Sequence, residues 1–258
     1  VVTLNNADFL TFSRMTFLLP NFADFFYIEN GTNDLTIANN DFKSNATAAY
    51  TFIQSTGTIE TNVQIRNNRF QNGSEAILMY GVNTGSLEGG LLIENNVFDD
   101  FSNYGIFTRY HNAPIIRNNT FHNVSRPIYC EYADNGLRIT GNKITTDGNI
   151  GDASISLYYC DGSPSSRGLV ANNFVQASGD QFRSGITVYL SNYQNIYHNS
   201  IHLNNTNTSS RALYLESGGN LRALNNILAN TGGGYAYYVT NANAVNISNF
   251  NGPYGTGT

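Results

Sequence analysis

Charge is scarce in this chain. Lys, Arg, Asp and Glu make up 12% of its 258 residues and the formal net charge is −5. Nothing in that balance points to nucleic acid or to an anionic membrane surface. No apolar run approaches the roughly 18 residues of a membrane-spanning helix, so membrane insertion is not expected. No secretory leader pattern is present. The chain opens on VVTLNNADF and closes on GPYGTGT, which reads as a mature segment of a longer secreted polypeptide, here a single domain over residues 1–258. An apolar period of 3.6 residues is missing as well, which excludes an α-solenoid.

Cysteine and histidine are sparse. Cys130 and Cys160 fit no metal pattern. They lie 30 residues apart, so they are either neighbours able to pair in an oxidising compartment or a buried thiol and a loop thiol. The four histidines, His111, His122, His198 and His202, share no metal-ligand spacing. Sequons such as the one at Asn30 are expected by chance where Asn, Ser and Thr are this common.

What the chain has in abundance is one hexapeptide. IANNDF begins at Ile37, IRNNRF at Ile65, IENNVF at Ile93, IRNNTF at Ile116 and ITGNKI at Ile139. VANNFV follows from Val170, IYHNSI from Ile196 and ALNNIL from Ala223, so the steps are 28, 28, 23, 23, 31, 26 and 27 residues. Such a period signals a solenoid and is too short for a four-stranded propeller blade. The fourth place is always Asn (Asn40, Asn68, Asn96, Asn119, Asn142, Asn173, Asn199, Asn226). The sixth is always large and apolar, from Phe42 to Leu228. A strand, a bend at the Asn pair and a second inward residue fit this pattern, because Asn tolerates left-handed backbone. Stacked at about 4.8 Å per coil, the amides can bond up and down as a ladder.

Between copies runs a further strand: EAILMYG, YGIFTRYH, RPIYCEYA, ASISLYYC, SGITVYLS, RALYLESG and GYAYYVTN. With Ile77, Ile106, Ile128, Ile155, Ile186 and Leu213 inward, alternation directs two columns outward. One is Leu78, Phe107, Tyr129, Ser156, Thr187, Tyr214 and Tyr237. The other is Tyr80, Arg109, Glu131, Tyr158, Tyr189, Glu216 and Val239. A coil of two or three short parallel strands is a β-helix, and the chain has room for roughly nine coils.

The hexapeptide series resembles right-handed parallel β-helix repeat proteins of the pectate-lyase-like superfamily. The stretch from Asn195 to Val239 resembles repeats of very large bacterial surface proteins exported by type IX secretion. That resemblance implies an extracellular, multi-domain, mostly non-enzymatic protein, in a superfamily that also contains polysaccharide lyases and hydrolases. The expected fold is all-β: one single-stranded right-handed parallel β-helix with an internal Asn ladder.

Two functions compete at this stage. The first is a rigid adhesin or stalk segment, joined to other domains of the same chain. It would contact a polysaccharide or cell-surface glycan through Tyr80, Arg109, Tyr129, Glu131, Tyr158, Tyr189 and Tyr214, since rings beside hydrogen-bonding groups suit sugars. Outward aromatic ladders also stabilise any sheet without a ligand. The second is a lyase or glycoside hydrolase built on Arg109, His111, Glu131, Tyr158 and Asp161. There Glu131 and Asp161 would be the carboxylates and Arg109 the clamp. No family motif matches that set, and the paired or tripled Asp run of β-helix hydrolases is missing. No cofactor is expected. A calcium loop at Asp147, Asn149 and Asp152 is the one alternative, and these are also ordinary turn residues.

Overall fold

The computed structural model describes residues 1–19, 24–44, 51–147 and 151–256. Each hexapeptide is a pair of strands hinged at its third residue. The first strand is short, as in Gln64–Arg66, Leu92–Glu94 and Ile115–Arg117, and buries only its middle, β-branched residue. At the hinge, Asn39, Asn67, Asn95, Asn118, Gly141, Asn172, His198 and Asn225 adopt φ between 54° and 67°. This left-handed residue consumes one position of the alternation. Inward places therefore fall at the first, fourth and sixth residues instead of at every second one.

Three strands complete a coil, the upper of the two numbers expected. Among the described residues ten first strands, from Thr11–Ser13 to Val245–Asn249, stack in parallel as one sheet. The second halves of the hexapeptides and the inter-copy strands form two further parallel stacks. Val97–Asn112 and Thr120–Asp134 run unbroken through the corner and join these two, among the described residues, into one nineteen-stranded sheet. The architecture is a right-handed parallel β-helix of about nine turns.

Register adds two copies that sequence matching misses. Phe12 to Phe17 lies against Ile37 to Phe42, with Arg14 (φ 58°) at the hinge and Met15 in the ladder place. Ser248 to Pro253 lies against Ala223 to Leu228, with Phe250 (φ 53°) at the hinge and Asn251 in the ladder.

The ladder forms as expected. Asn119 Oδ1 accepts from Asn96 N at 2.9 Å and Asn96 Nδ2 at 3.1 Å. Asn119 Nδ2 donates to Ile93 O at 3.0 Å and Asn142 Oδ1 at 3.1 Å. The same pattern continues from Asn40 to Asn251. Beside it, the sixth-place rings of Phe17, Phe42, Phe70, Phe98 and Phe121 stack at 4.6 to 5.1 Å inside one apolar cluster that runs from Leu4 to Ala244.

Candidate functional site

The inter-copy strands Glu75–Tyr80, Ala153–Tyr158, Ser184–Asn192 and Arg211–Gly219, with the later parts of Val97–Asn112 and Thr120–Asp134, carry the outward columns. The alignment of Tyr80 with Arg109, Glu131, Tyr158, Tyr189 and Glu216 is as read from the sequence. The last coil differs by one residue. Tyr214 pairs with Tyr238 instead of Tyr237, and Leu215 with Val239. Gly234 lies against Ser210 O, where a Cβ would meet that oxygen at 2.3 Å, and the strand begins one place later at Tyr235. With period 2, that single step turns Tyr237 toward the core and brings Tyr238 outward.

A second correction concerns exposure. Leu78, Phe107, Ser156, Thr187 and Tyr214 face outward yet are buried. The rings themselves form a layer over the sheet. Phe107 is held between Tyr80 (5.0 Å), Tyr104 (5.0 Å) and Tyr129 (5.0 Å), and the row continues through Tyr158 to Tyr189 at 5.1 Å per step. Burial pushes the phenols of Tyr80, Tyr104, Tyr129 and Tyr158 upward, Tyr80 to about 12, so they stay protonated at neutral pH.

Sequence alternation missed a second row. Tyr110, Tyr132 and Tyr159 follow an outward residue, so period 2 sends them inward. Their backbones have φ of 63°, 48° and 54°, and the left-handed bend throws the rings out again. They stack at 5.2 and 5.1 Å, and Tyr159 meets Tyr189 edge-on at 5.6 Å. Their constant offset from Ile106, Ile128 and Ile155 was the available signal. A bulky residue in this region costs about 1–2 kcal/mol, whereas the hexapeptide bends of the same molecule use Asn almost throughout.

Between the rows sits the charged pair. Arg109 Nε lies 2.7 Å from Glu131 Oε2, and its guanidinium packs 5.7 to 6.0 Å from Tyr80, Phe107 and Tyr110. A double-mutant cycle on Arg109→Ala and Glu131→Ala should give a coupling of about 1 kcal/mol in thermal unfolding, typical of a half-exposed pair. No coupling would mean the pair does not persist in solution. Further along, Arg211 lies between Tyr214 (4.0 Å) and Tyr238 (4.3 Å).

The other proposed acid-base residues are not gathered here. Asp161 comes after the bend at Tyr159, three residues beyond the partner of Glu131. Its Oδ1 accepts from Asn192 N (2.9 Å) and Nδ2 (2.8 Å), and its own N–H donates to Asp134 Oδ1 (2.6 Å). His111 is buried inside the coil. Recesses in the surface lie at other corners, one along Arg14, Asn39, Asn67 and Asn95 and one by Thr208, Gly233 and Pro253.

Asn149 of the calcium reading falls outside the described residues. Asp147 Oδ1 accepts from Ser178 Oγ at 3.3 Å, and Asp152 lies 3.5 Å from Arg126. Among the described residues, no three His, Cys, Asp or Glu side chains are placed to hold a metal ion. No helix among them is long and apolar enough to cross a membrane. Cys130 and Cys160 are both buried free thiols, with Cys160 Sγ 3.4 Å from Cys130 O. Residues 1–162 match the model of the family described as the right handed beta helix region. No curated protein and no solved structure matches the chain.

Proposed function

This chain belongs to the right-handed β-helix family, and from that premise we propose that it is a non-catalytic, rigid segment of a large secreted bacterial surface protein that contacts glycans through its tyrosine face. The observation that carries the reading is the continuous tyrosine layer, with Arg109, Glu131 and Asp161 closed on protein partners. Glu131 is held by Arg109, and Asp161 caps the backbone of the next coil. An acid-base mechanism needs two carboxylates facing one bond, and here a bend stands between them. The same geometry suits a stalk. Each coil buries its neighbours, so the solenoid is stiff along its axis and offers one face at regular intervals. Secretion and membership of a type IX-exported surface protein are part of the proposal and rest on the repeat resemblance and the low charge.

A glycan array probed with the folded protein tests it. Binding is expected, and Tyr158→Ala and Tyr189→Ala should each weaken it roughly tenfold, the loss of one well-packed ring contact. An array without hits, or hits indifferent to both substitutions, removes the glycan reading.

A further inference from the structure

The two tyrosine rows repeat with the coil. Successive rings lie 5.1 Å apart from Tyr129 through Tyr158 to Tyr189, and 5.2 and 5.1 Å apart from Tyr110 through Tyr132 to Tyr159. Within the second row the rings are nearly parallel, at 21° and 12°. Both faces of Tyr132 are therefore taken by its neighbours. What such a row offers a ligand is ring edges and hydroxyl groups, not open faces. Among the described residues, the hydroxyls of Tyr110, Tyr129, Tyr132 and Tyr158 make no hydrogen bond within the protein, so each can donate and accept.

Charge complementarity narrows the ligand. The Arg109 guanidinium is closed on Glu131 and covered by three rings, and Arg126 is engaged by Asn103 and Asp152. Burial holds the phenols of Tyr129, Tyr132 and Tyr158 in their neutral form. Among the described residues of the coils carrying the two rows, the face offers no unpaired cation to a carboxylate or sulfate, but a double file of neutral donor–acceptor groups; the ring-covered Arg211 lies one coil beyond.

Spacing narrows it further. A pyranose linked through equatorial bonds at opposite ends of the ring advances close to one coil rise, about 4.8 Å, and the chain it forms is straight. Successive sugars, alternately turned over, then stay in step with the two hydroxyl rows. A chain joined through one axial and one equatorial bond, as in an α-1,4-glucan, coils away and meets them only once.

We propose that the two tyrosine rows bind a neutral, straight glycan of the β-1,4 type, lying parallel to the solenoid axis with one sugar per coil. The proposal rests on the glycan reading above and specifies it. Tyr110, Tyr132 and Tyr159 hold one side of the chain and Tyr129, Tyr158 and Tyr189 the other.

Calorimetric titration of the folded protein separates the alternatives. The probes are β-1,4-linked gluco-oligosaccharides of increasing length, α-1,4-linked ones of matching length, and polygalacturonate. Affinity for the β-linked series should rise with each added sugar until the four coils that carry these six tyrosines are covered. The α-linked series should bind at least roughly tenfold more weakly at equal length. Tyr132→Phe and Tyr158→Phe remove only a hydroxyl, keep the stacks and should each weaken binding roughly fivefold, while Tyr254→Phe, in the terminal coil, should not. Equal binding of the α-linked series, preference for polygalacturonate, or a β-linked affinity independent of length overturns this proposal and leaves the glycan reading standing. Failure of every glycan to bind overturns both.

Discussion

Glu88→Gln is expected to stabilise the protein under alkaline conditions and to flatten the decline in stability that the parent shows as pH rises from 6.5 to 9. Glu60, Glu88 and His111 occupy successive places in an interior column, each about 1% exposed. His111 Nε2 lies 3.2 Å from Met79 O, which can only accept, so the proton is on Nε2. Nδ1 then presents its lone pair to Glu88 Oε2 at 3.8 Å. Neither Glu88 oxygen nor Glu60 Oε2 has a donor. The two carboxyl groups are within reach of each other, and both cannot be ionised there.

Burial, reinforced by the charge of Glu60, pushes Glu88 up from 4.5 to about 9. Burial pushes His111 down from 6.5 to about 4. Glu88 thus favours the fold fully below pH 4.5 and loses that contribution as pH climbs toward its folded value. His111 has the opposite slope: its contribution is full above 6.5 and is lost as pH falls toward 4. Between 4.5 and 6.5 the two slopes offset each other. Above 6.5, of these two groups only Glu88 changes, by on the order of 3 kcal/mol up to pH 9. The amide of the variant has no proton to lose, and it can donate to Glu60 or His111. Chemical unfolding of parent and variant across this range checks the claim, and parallel pH profiles would refute it.

Asn119→Ala should cost about 3 kcal/mol, the upper end of what losing one buried amide entails. The side chain accepts two hydrogen bonds and donates two. Its loss leaves the Asn96 N–H and the Ile93 carbonyl buried without those partners. Hydrogen exchange should quicken most at Asn96, and fall off over the neighbouring coils, because each coil contacts only the next. An unchanged melting temperature together with unchanged exchange at Asn96 would mean the ladder is dispensable.

The fold was legible because the repeat compares the chain with itself. Left-handed Asn, buried Asn and the sixth-place apolar residue recur at fixed offsets, and each has its own physical reason. Where side-chain identity drifts, the repeat disappears from the sequence while the backbone keeps it. Met15 and Asn251 hold ladder places in segments that no longer spell the motif. The tyrosine face was only half legible. Alternation located Tyr129, Tyr158 and Tyr189, then failed at Tyr110, Tyr132 and Tyr159, because a bend resets which side is out. It failed again at Tyr237, where a run of glycines carries no phase information. The Glu60, Glu88 and His111 column was illegible for a different reason. Glu60 lies in a connection, Glu88 opens a two-residue strand and His111 lies near the end of a long one, so no shared motif aligns them and only the closed coil brings them into line.

The Asn ladder has a direction. Every Oδ1 from Asn68 to Asn251 accepts from the coil before it, and Asn40 Oδ1 accepts from Met15 N at 3.0 Å. The side-chain carbonyls therefore all point toward the amino-terminal coil, and their dipoles add as peptide dipoles do along an α-helix. Each hydrogen bond polarises the next in a medium that screens poorly. This all-β molecule thus contains a continuous electrical axis, negative at its first coil and positive at its last, made from one amide per turn.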